Sequence, residues 1–365
     1  MTEDVQQEGL PDGPLQEEAP WQAVAGDPSP GSRRHFVVRL VLGGLARFVC
    51  LMLAVSIVVF VLVGLSPIDP VQANVGQAAF INMSEEKRAD LAHYWGKDTP
   101  LWERYIGWAG SVLAGDMGMS LRYNAPVASV IGAYAGNSLL LMALAWVASG
   151  ILGFLLGIAA GMNQGRLADR LIKGYCFMLA STPAFWLGLV FLAVFAVWLG
   201  WFPFGFSVPI GVASSQVTFA DTLHHLFLPA MTLSVVGVAN IALHTREKTI
   251  DVMQSEYIRF ALARGEGRLG ALFHHGLRNL ALPAITLQFA AISEIFGGSV
   301  LVEQVFSYPG LGKAAVTAGL GGDATLLVGI ALFSAALVFG GNLLADIIYG
   351  IIDPRMRKRG AHGQG

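Results

Sequence analysis

The residue types that carry chemistry are sparse in this chain, and few of them have the spacing that a catalytic or metal site requires. Two histidine pairs, His224-His225 and His274-His275, are candidates for metal binding. Adjacent side chains on a helix point about 100° apart, and of the nearby carboxylates only Asp221 stands four residues before a histidine. The dipeptide Gly312-Lys313 lacks the second glycine and the Ser or Thr of a phosphate-binding loop. We therefore predict no metal, no cofactor, no nucleotide site and no enzymatic activity.

One carboxylate interrupts an otherwise uncharged apolar run. Glu294 lies within Leu280–Val302, and a charged group in hydrocarbon is costly unless it faces a cavity or a partner. Glu294 is thus a candidate pore residue that could bind a cationic group. A structural hydrogen bond to a neighbouring helix or to a partner subunit is the alternative, and the sequence leaves both open.

A polar and basic segment, residues 245–280, separates two apolar runs. Within it, Tyr257–Arg264 has the composition of a helix, and Gly265 then favours its end. Ile258 and Phe260 are too apolar for a freely solvated loop, so this short helix should bury one face. It either packs against the ends of its own spans or docks a cytoplasmic partner, and composition favours neither.

Helices that cross a membrane must position these residues. Of the 365 residues, 54% are hydrophobic and only 13% are charged, and the mean hydropathy is +0.58. A soluble domain could not bury so much apolar surface, so lipid must cover part of it. This composition predicts an all-α integral membrane protein and gives no sign of nucleic-acid binding. The two cysteines, Cys50 and Cys176, lie in apolar runs and indicate no disulfide framework.

Six apolar stretches are long enough to cross the hydrocarbon core, which takes about 20 residues. The predicted spans are Phe48–Leu65, Ser138–Gly161, Gly174–Gly200, Leu226–Leu243, Leu280–Val302 and Ala324–Ala345.

A secondary transporter is the alternative to a transporter that is driven by a separate motor protein. It would show two matching halves and more buried charge, so an external motor explains the long polar segment 245–280 better.

The basic residues predict the orientation of these spans. With both termini inside, the inner segments hold 17 of the 23 Lys and Arg residues and the outer loops hold six. Basic residues are retained on the cytoplasmic side, so both termini should be cytoplasmic. The predicted organisation is an acidic disordered cytoplasmic tail (1–35), a first transmembrane helix (36–66), an extracytoplasmic loop (67–137), a core with the other five spans and the cytoplasmic segment 245–280 (138–357) and a C-terminal tail (358–365).

Six motifs in order resemble those of inner-membrane permeases in the dipeptide, oligopeptide and nickel ABC-importer family. The resemblance covers nearly all of Arg39–Arg357, and six strings in sequence make coincidence improbable. They are LSPIDPV (65–71), GDMGMSLRYNAPV (115–127), STPAFWLGL (181–189), EYIRFALARGEGRLGALFHHGLRNLALPAIT (256–286), VEQVFSYPGLG (302–312) and DPRMR (353–357).

The resemblance implies the ABC type I importer permease fold with six transmembrane helices in the bacterial inner membrane. It also implies a half-pore completed by a second homologous permease subunit, two ATPase subunits that bind the inner loops and an extracytoplasmic solute-binding protein. Peptides or similarly small solutes are the expected cargo, with import of nickel or a metal chelate as the alternative. The family's coupling glycine corresponds to Gly265, and the implied ATPase-coupling residues are Tyr257, Arg259, Phe260, Ala261, Arg264 and Gly265.

Overall fold

The computed structural model describes residues 30–66, 72, 77–94 and 99–352. Four predicted parts lie wholly or partly outside the described residues: residues 1–29 of the acidic tail, most of the LSPIDPV motif, the DPRMR motif and the tail 358–365. Two compact units are distinguished, Met1–Gly43 and Gly44–Gly365, and every side-chain contact reported below lies within the second.

Helices make up nearly all regular structure of the described residues, apart from one short hairpin. They are α1 (Pro30–Gly64), α2 (Gln77–Ile81), α3 (Glu85–Tyr94), α4 (Leu101–Leu113), α5 (Val127–Met162), α6 (Leu167–Ser181), α7 (Ala184–Phe191), α8 (Phe219–Met253), α9 (Glu256–Ala263), α10 (Arg268–Ala271), α11 (Leu277–Ala290), α12 (Ile292–Val305), α13 (Leu311–Leu320) and α14 (Ala324–Ile352). A π-helix, Leu192–Trp198, continues α7; a second, Leu272–Gly276, joins α10 to α11; and Ser214–Gln216 form a 3₁₀ turn.

Three helical stretches are long and apolar enough to cross a membrane: Gly43–Gly64, Val127–Met162 and Ala324–Ala345. Three bent pairs also qualify if each is one span, which allows up to six spans among the described residues. Two of these pairs match the predicted third and fifth spans, which are bent by 108° and 47° rather than being single straight helices.

The sharper of these bends has a local cause in the sequence. Thr182 precedes Pro183 and has extended backbone angles, φ −101° and ψ 126°. The proline ring disfavours helical geometry at the preceding residue, so α6 ends there and α7 begins immediately afterwards. The bend in the fifth span falls at Ala291 between α11 and α12, where the sequence has no helix-breaking residue.

The most extensive helix contact in the described residues joins α5 to α8 through a row of glycines. Gly153, Gly157 and Gly161 face α8 at intervals of four residues. A Cβ atom added to Gly157 would lie 2.5 Å from Cβ of Thr245 and 2.7 Å from the carbonyl oxygen of Ala242. The two backbones therefore approach as closely as small residues allow, which is how helices associate inside membranes.

The segment before α5 is fixed to the start of α14 by a buried carboxylate. The strands β1 (Met119–Ser120) and β2 (Ala125–Pro126) pair antiparallel, with Met119 opposite Pro126. One carboxylate oxygen of Asp323 accepts hydrogen bonds from the Ser120 hydroxyl at 2.6 Å and the Arg122 amide at 3.0 Å. The motif GDMGMSLRYNAPV thus forms a folded hairpin rather than an open loop.

Candidate functional site: the coupling segment

Helix α9 is amphipathic and buries one side against its own protein. Ile258 is fully buried and Ala261 nearly so, and they lie three residues apart on the same side of the helix. The cluster around them comes from α5, α8, α10 and the residues that follow it: Ile158, Val252, Ala271, Leu272 and Leu280. The prediction that the helix packs against its own spans therefore describes this face.

A glycine ends α9 as predicted. Gly265 has φ +92°, a backbone conformation that residues with a Cβ rarely adopt. The amide of Glu266 donates to the carbonyl of Ala261 at 3.2 Å, and the amide of Gly265 donates to that of Leu262 at 3.0 Å. These two bonds form a Schellman motif, which turns the chain sharply away from the helix.

The opposite side of α9 is open and carries aromatic side chains. Tyr257 is 42% exposed and Phe260 is 65% exposed. The Arg264 guanidinium carbon lies 5.9 Å from the centre of the Phe260 ring, within the range of a cation–π contact. Beside them is an open concavity of about 510 Å³, lined by Glu256, Tyr257, Phe260, Ala261, Arg264, Glu266 and His275.

Five of the six predicted coupling residues are exposed, and three of these five, Tyr257, Phe260 and Arg264, line the concavity. Tyr257, Arg259, Phe260, Arg264 and Gly265 are exposed, whereas Ala261 is buried against the cluster below. An exposed helix face with aromatic side chains flanked by arginines is a surface that a protein partner could cover. Its role in binding an ATPase stays a prediction.

Polar contacts hold the rim of the concavity in place. The side-chain amide of Asn279 donates to the Tyr257 hydroxyl at 2.8 Å. Nε2 of His275 lies 3.2 Å from both carboxylate oxygens of Glu266, and Nδ1 of His274 lies 3.9 Å from one of them. The described part of the chain has no group of three His, Cys, Asp or Glu side chains that could hold a metal ion.

A buried ion pair fixes α8, the helix that leads into the coupling segment. The Arg246 guanidinium contacts both carboxylate oxygens of Asp169, at 2.5 and 2.8 Å, and the Asp169 side chain is only 1% exposed. The amide of Gly165 also donates to this carboxylate at 2.8 Å. The pair ties the α5–α6 turn to α8, seven residues before α8 ends at Met253.

Glu294 lies away from the coupling segment, in the first turn of α12 just after the bend at Ala291. Its side chain is exposed, and no hydrogen bond or ion pair to it is found among the described residues. Two hydrogen bonds join Trp146 to Gln288, three residues before the bend. The Trp146 indole nitrogen donates to the Gln288 carbonyl at 2.7 Å, and the Gln288 side-chain amide donates to the Trp146 carbonyl. Glu294 therefore remains a candidate pore residue.

A second carboxylate, Glu303, went unnoticed in the sequence although it belongs to the motif VEQVFSYPGLG. It is fully buried and accepts hydrogen bonds from the Ser138 hydroxyl at 2.6 Å and the Lys313 amide at 3.1 Å. The Ser138 oxygen accepts in turn from the Leu311 amide at 2.7 Å. Glu303 thus caps the first turn of α13 and joins it to α5.

The glycines and tyrosine of the same motif fit around this carboxylate. A Cβ on Gly310 would lie 2.2 Å from the Glu303 carboxyl carbon. Burial, and then the nearby Glu303 charge, raise the pKa of Tyr308 to about 12, so its hydroxyl remains a donor, here to the Asn137 carbonyl at 3.3 Å. The sequence signal that could have located this site is Glu303 itself, a carboxylate directly after the apolar run Leu280–Val302.

Residues 153–358 match the family model described as "binding-protein-dependent transport system inner membrane component". This span includes α9, the Asp169–Arg246 pair, Glu294 and Glu303. The chain belongs to this family. The predicted resemblance to importer permeases is thereby confirmed, as is the all-α membrane fold, and the possible six spans agree with it.

Curated members of the permease family match over nearly their whole length. The oligopeptide transport system permease protein AppB of Bacillus subtilis is 34% identical over 84% of this chain and 95% of its own length. A putative peptide permease protein of Brucella ovis is 32% identical over 89% and 99%, and the di/tripeptide transport system permease protein DppB of Pseudomonas aeruginosa is 31% identical over 83% and 94%. This permease is therefore a multi-pass inner-membrane protein of a transport system.

Proposed function

We propose that this permease forms half of a translocation pore for peptides and that α9 is the contact through which an ATPase subunit drives it. The observation that carries the proposal is the division of α9 into two faces. Ile258 and Ala261 bind the helix to the spans, whereas Tyr257 and Phe260 remain available to a partner.

This division is what a mechanical coupling element requires. A pump needs two conformations whose balance changes with the ATP state, and a ligand shifts that balance only through contacts that differ between them. A helix that is free on both faces could not move the spans. Because α9 is packed on α8 and next to α10, a force on Phe260 is transmitted to α8, where the Asp169–Arg246 pair links it to the α5–α6 turn.

The names of the relatives support peptides as the cargo rather than nickel. Those quoted above are all named as peptide, oligopeptide or di/tripeptide permeases. A peptide carries an ammonium group, and Glu294 is an exposed carboxylate at the bend of a membrane-crossing helix pair. We infer that Glu294 lines the path and attracts this group.

The remaining partners follow from the same proposal. A second homologous permease subunit completes the pore, two ATPase subunits dock on the inner loops, and an extracytoplasmic binding protein delivers the solute. Both termini are cytoplasmic in this arrangement, as the 17 basic residues assigned to the inner side favour. A cysteine in place of the exposed Ala114 should then react with an impermeant maleimide added outside intact cells, and reaction only after the cells are opened would reverse the orientation.

Uptake measurements test the cargo. Cells that express the complete system should accumulate a radiolabelled dipeptide or oligopeptide, and unlabelled peptide but not a nickel chelate should compete. Glu294→Gln should lower peptide uptake while the assembled complex is recovered in normal yield. Nickel uptake without peptide uptake would contradict the proposed cargo, and unchanged peptide uptake by Glu294→Gln would remove Glu294 from the path.

A further inference from the structure

Helix α4, in the segment between the first two membrane-crossing helices, rests on α1 with one of its faces. The Leu101 side chain fills the space beside Gly64, where an added Cβ would lie 1.9 Å from Cδ1 of Leu101. The Tyr105 ring meets Phe60 edge-on at 5.4 Å, and its hydroxyl lies 2.8 Å from Oγ of Ser56, within hydrogen-bond distance. Trp108 meets the same Phe60 ring at 5.9 Å. Leu101, Tyr105 and Trp108 therefore form the face of α4 that contacts α1.

A second face of α4 is apolar and uncovered. Trp102, Ile106 and Leu113 are 64%, 61% and 90% exposed. At about 100° per residue they fall within an arc of roughly 40°, next to the face that rests on α1. The third face carries Glu103 and Gly107, both exposed, on the side away from this arc. Thus α4 has an apolar and a polar exposed face in fixed positions relative to α1.

The contacts between α4 and α1 lie near one end of the membrane-crossing stretch of α1. α4 contacts α1 between Ser56 and Gly64, and eight residues of helix correspond to about 12 Å along its axis. Gly64 is the last residue of the membrane-crossing stretch Gly43–Gly64, of which only 11% is buried within the protein. Amphipathic helices at interfaces insert about 5–10 Å below the headgroups. The contacts therefore place α4 at the level where such helices lie.

The surroundings of α4 favour lipid over another protein as the occupant. On the side of α1 that α4 contacts, α1 also exposes apolar residues: Leu53 and Ile57, which are 57% and 42% exposed, fall within about 60° of the middle of the face formed by Ser56, Phe60 and Gly64. That surface belongs to a membrane-crossing helix of an inner-membrane protein. Tryptophan and tyrosine, of which this short helix has three, concentrate at membrane interfaces. The Arg104 guanidinium carbon lies 6.0 Å from the centre of the Phe60 ring, and long basic side chains at an interface can lay their stems on apolar surface while the charge stays in water.

We propose that α4 is an interfacial helix whose Trp102, Ile106 and Leu113 side chains insert among the acyl chains of the leaflet at the Gly64 end of α1. The polar face with Glu103 and Gly107 points to water. This helix anchors the segment that leads to the hairpin β1–β2. The inference concerns the membrane contact of the chain itself and does not depend on the solute or on coupling through α9.

Spin labels at matched positions test this placement. In a background with Cys50→Ala and Cys176→Ala, single cysteines replace Trp102, Ile106 and Leu113 on one face and Glu103 and Gly107 on the other. The complete transporter is reconstituted in vesicles of phosphatidylethanolamine and phosphatidylglycerol, and each nitroxide is exposed to oxygen, which concentrates in lipid, or to a water-soluble nickel chelate.

The three apolar-face labels should be relaxed several-fold more strongly by oxygen than by the chelate, and the two polar-face labels should show the reverse. Stronger relaxation of the apolar face by the chelate would show that it faces water and would overturn the proposal. Shielding of that face from both reagents would mean that a protein subunit covers it, which would overturn the proposal equally. Three positions are used so that misfolding of one variant does not decide the result.

Discussion

The close contact between α5 and α8 predicts the effect of adding a single methyl group at Gly157. Gly157→Ala adds one methyl group at a position where it would lie 2.5 Å from Cβ of Thr245 and 2.7 Å from the Ala242 carbonyl oxygen. Ordinary contacts of this kind begin at 3.4 Å, so the helices must separate by about 1 Å. Overpacking of this kind costs about 1–3 kcal/mol, and more when backbone must move. Alanine returns up to about 1 kcal/mol of helix propensity, so a net destabilisation of about 1–2 kcal/mol is expected.

The same helix supplies the control. Gly136 also lies within α5, but a Cβ there would meet nothing within 4 Å. Gly136→Ala therefore keeps only the propensity term and should stabilise the protein by up to about 1 kcal/mol. Thermal unfolding of the two variants in the same detergent, followed by tryptophan fluorescence, should shift in opposite directions. A shift in the same direction for both variants would refute the claim that the glycine row sets the distance between these helices.

Two further predictions concern the buried carboxylate and the end of the coupling helix. Glu303→Ala leaves the Ser138 hydroxyl and the Lys313 amide without their acceptor and should lower the free energy of unfolding by about 2–5 kcal/mol. Glu303→Gln keeps one acceptor oxygen and should therefore cost less in the same unfolding assay. Equal stability of the alanine variant and the parent would contradict this role. Gly265→Val places a side chain at φ +92° and should destabilise the turn after α9 by at least about 1–2 kcal/mol. Gly267 has φ −70° and equally open space around it, so Gly267→Val should be tolerated. Retention of the ATPase during purification should therefore fall only for Gly265→Val, and equal retention by both would remove the turn from the docking site.

The sequence predicted the parts of this molecule that depend on local composition. Uncharged apolar runs located the membrane-crossing segments, and a short helical stretch followed by Gly265 located α9. Pro183 also marks the break before α7 in the sequence, although the uncharged run Gly174–Gly200 around it favours a single helix. The bend at Ala291 carries no such signal, and the reciprocal bonds between Trp146 and Gln288 that lie three residues before it join positions 142 residues apart in the sequence.

Long-range pairs explain the features of the site that were missed. Glu303 and Ser138 are 165 residues apart, and Asp169 and Arg246 are 77 apart, so no spacing rule joins them. The attention given to Glu294 followed from its position inside an apolar run. Glu303, which the fold buries completely, lies just outside that run, so the cost of a charged group in hydrocarbon does not point to it.

The affinity of the ATPase subunits for the membrane complex tests the central claim most directly. Phe260→Ala removes a ring that is 65% exposed in this chain, and loss of a buried interface anchor costs about 2–4 kcal/mol. At about 1.4 kcal/mol for each tenfold change, the dissociation constant should rise roughly 30-fold to several hundred-fold. Phe219→Ala, which removes an 80% exposed ring at the opposite end of α8, is the control and should leave the affinity unchanged. Equal affinity of the Phe260→Ala complex and the parent, measured in the same nanodiscs, would contradict the assignment of α9 as the coupling contact.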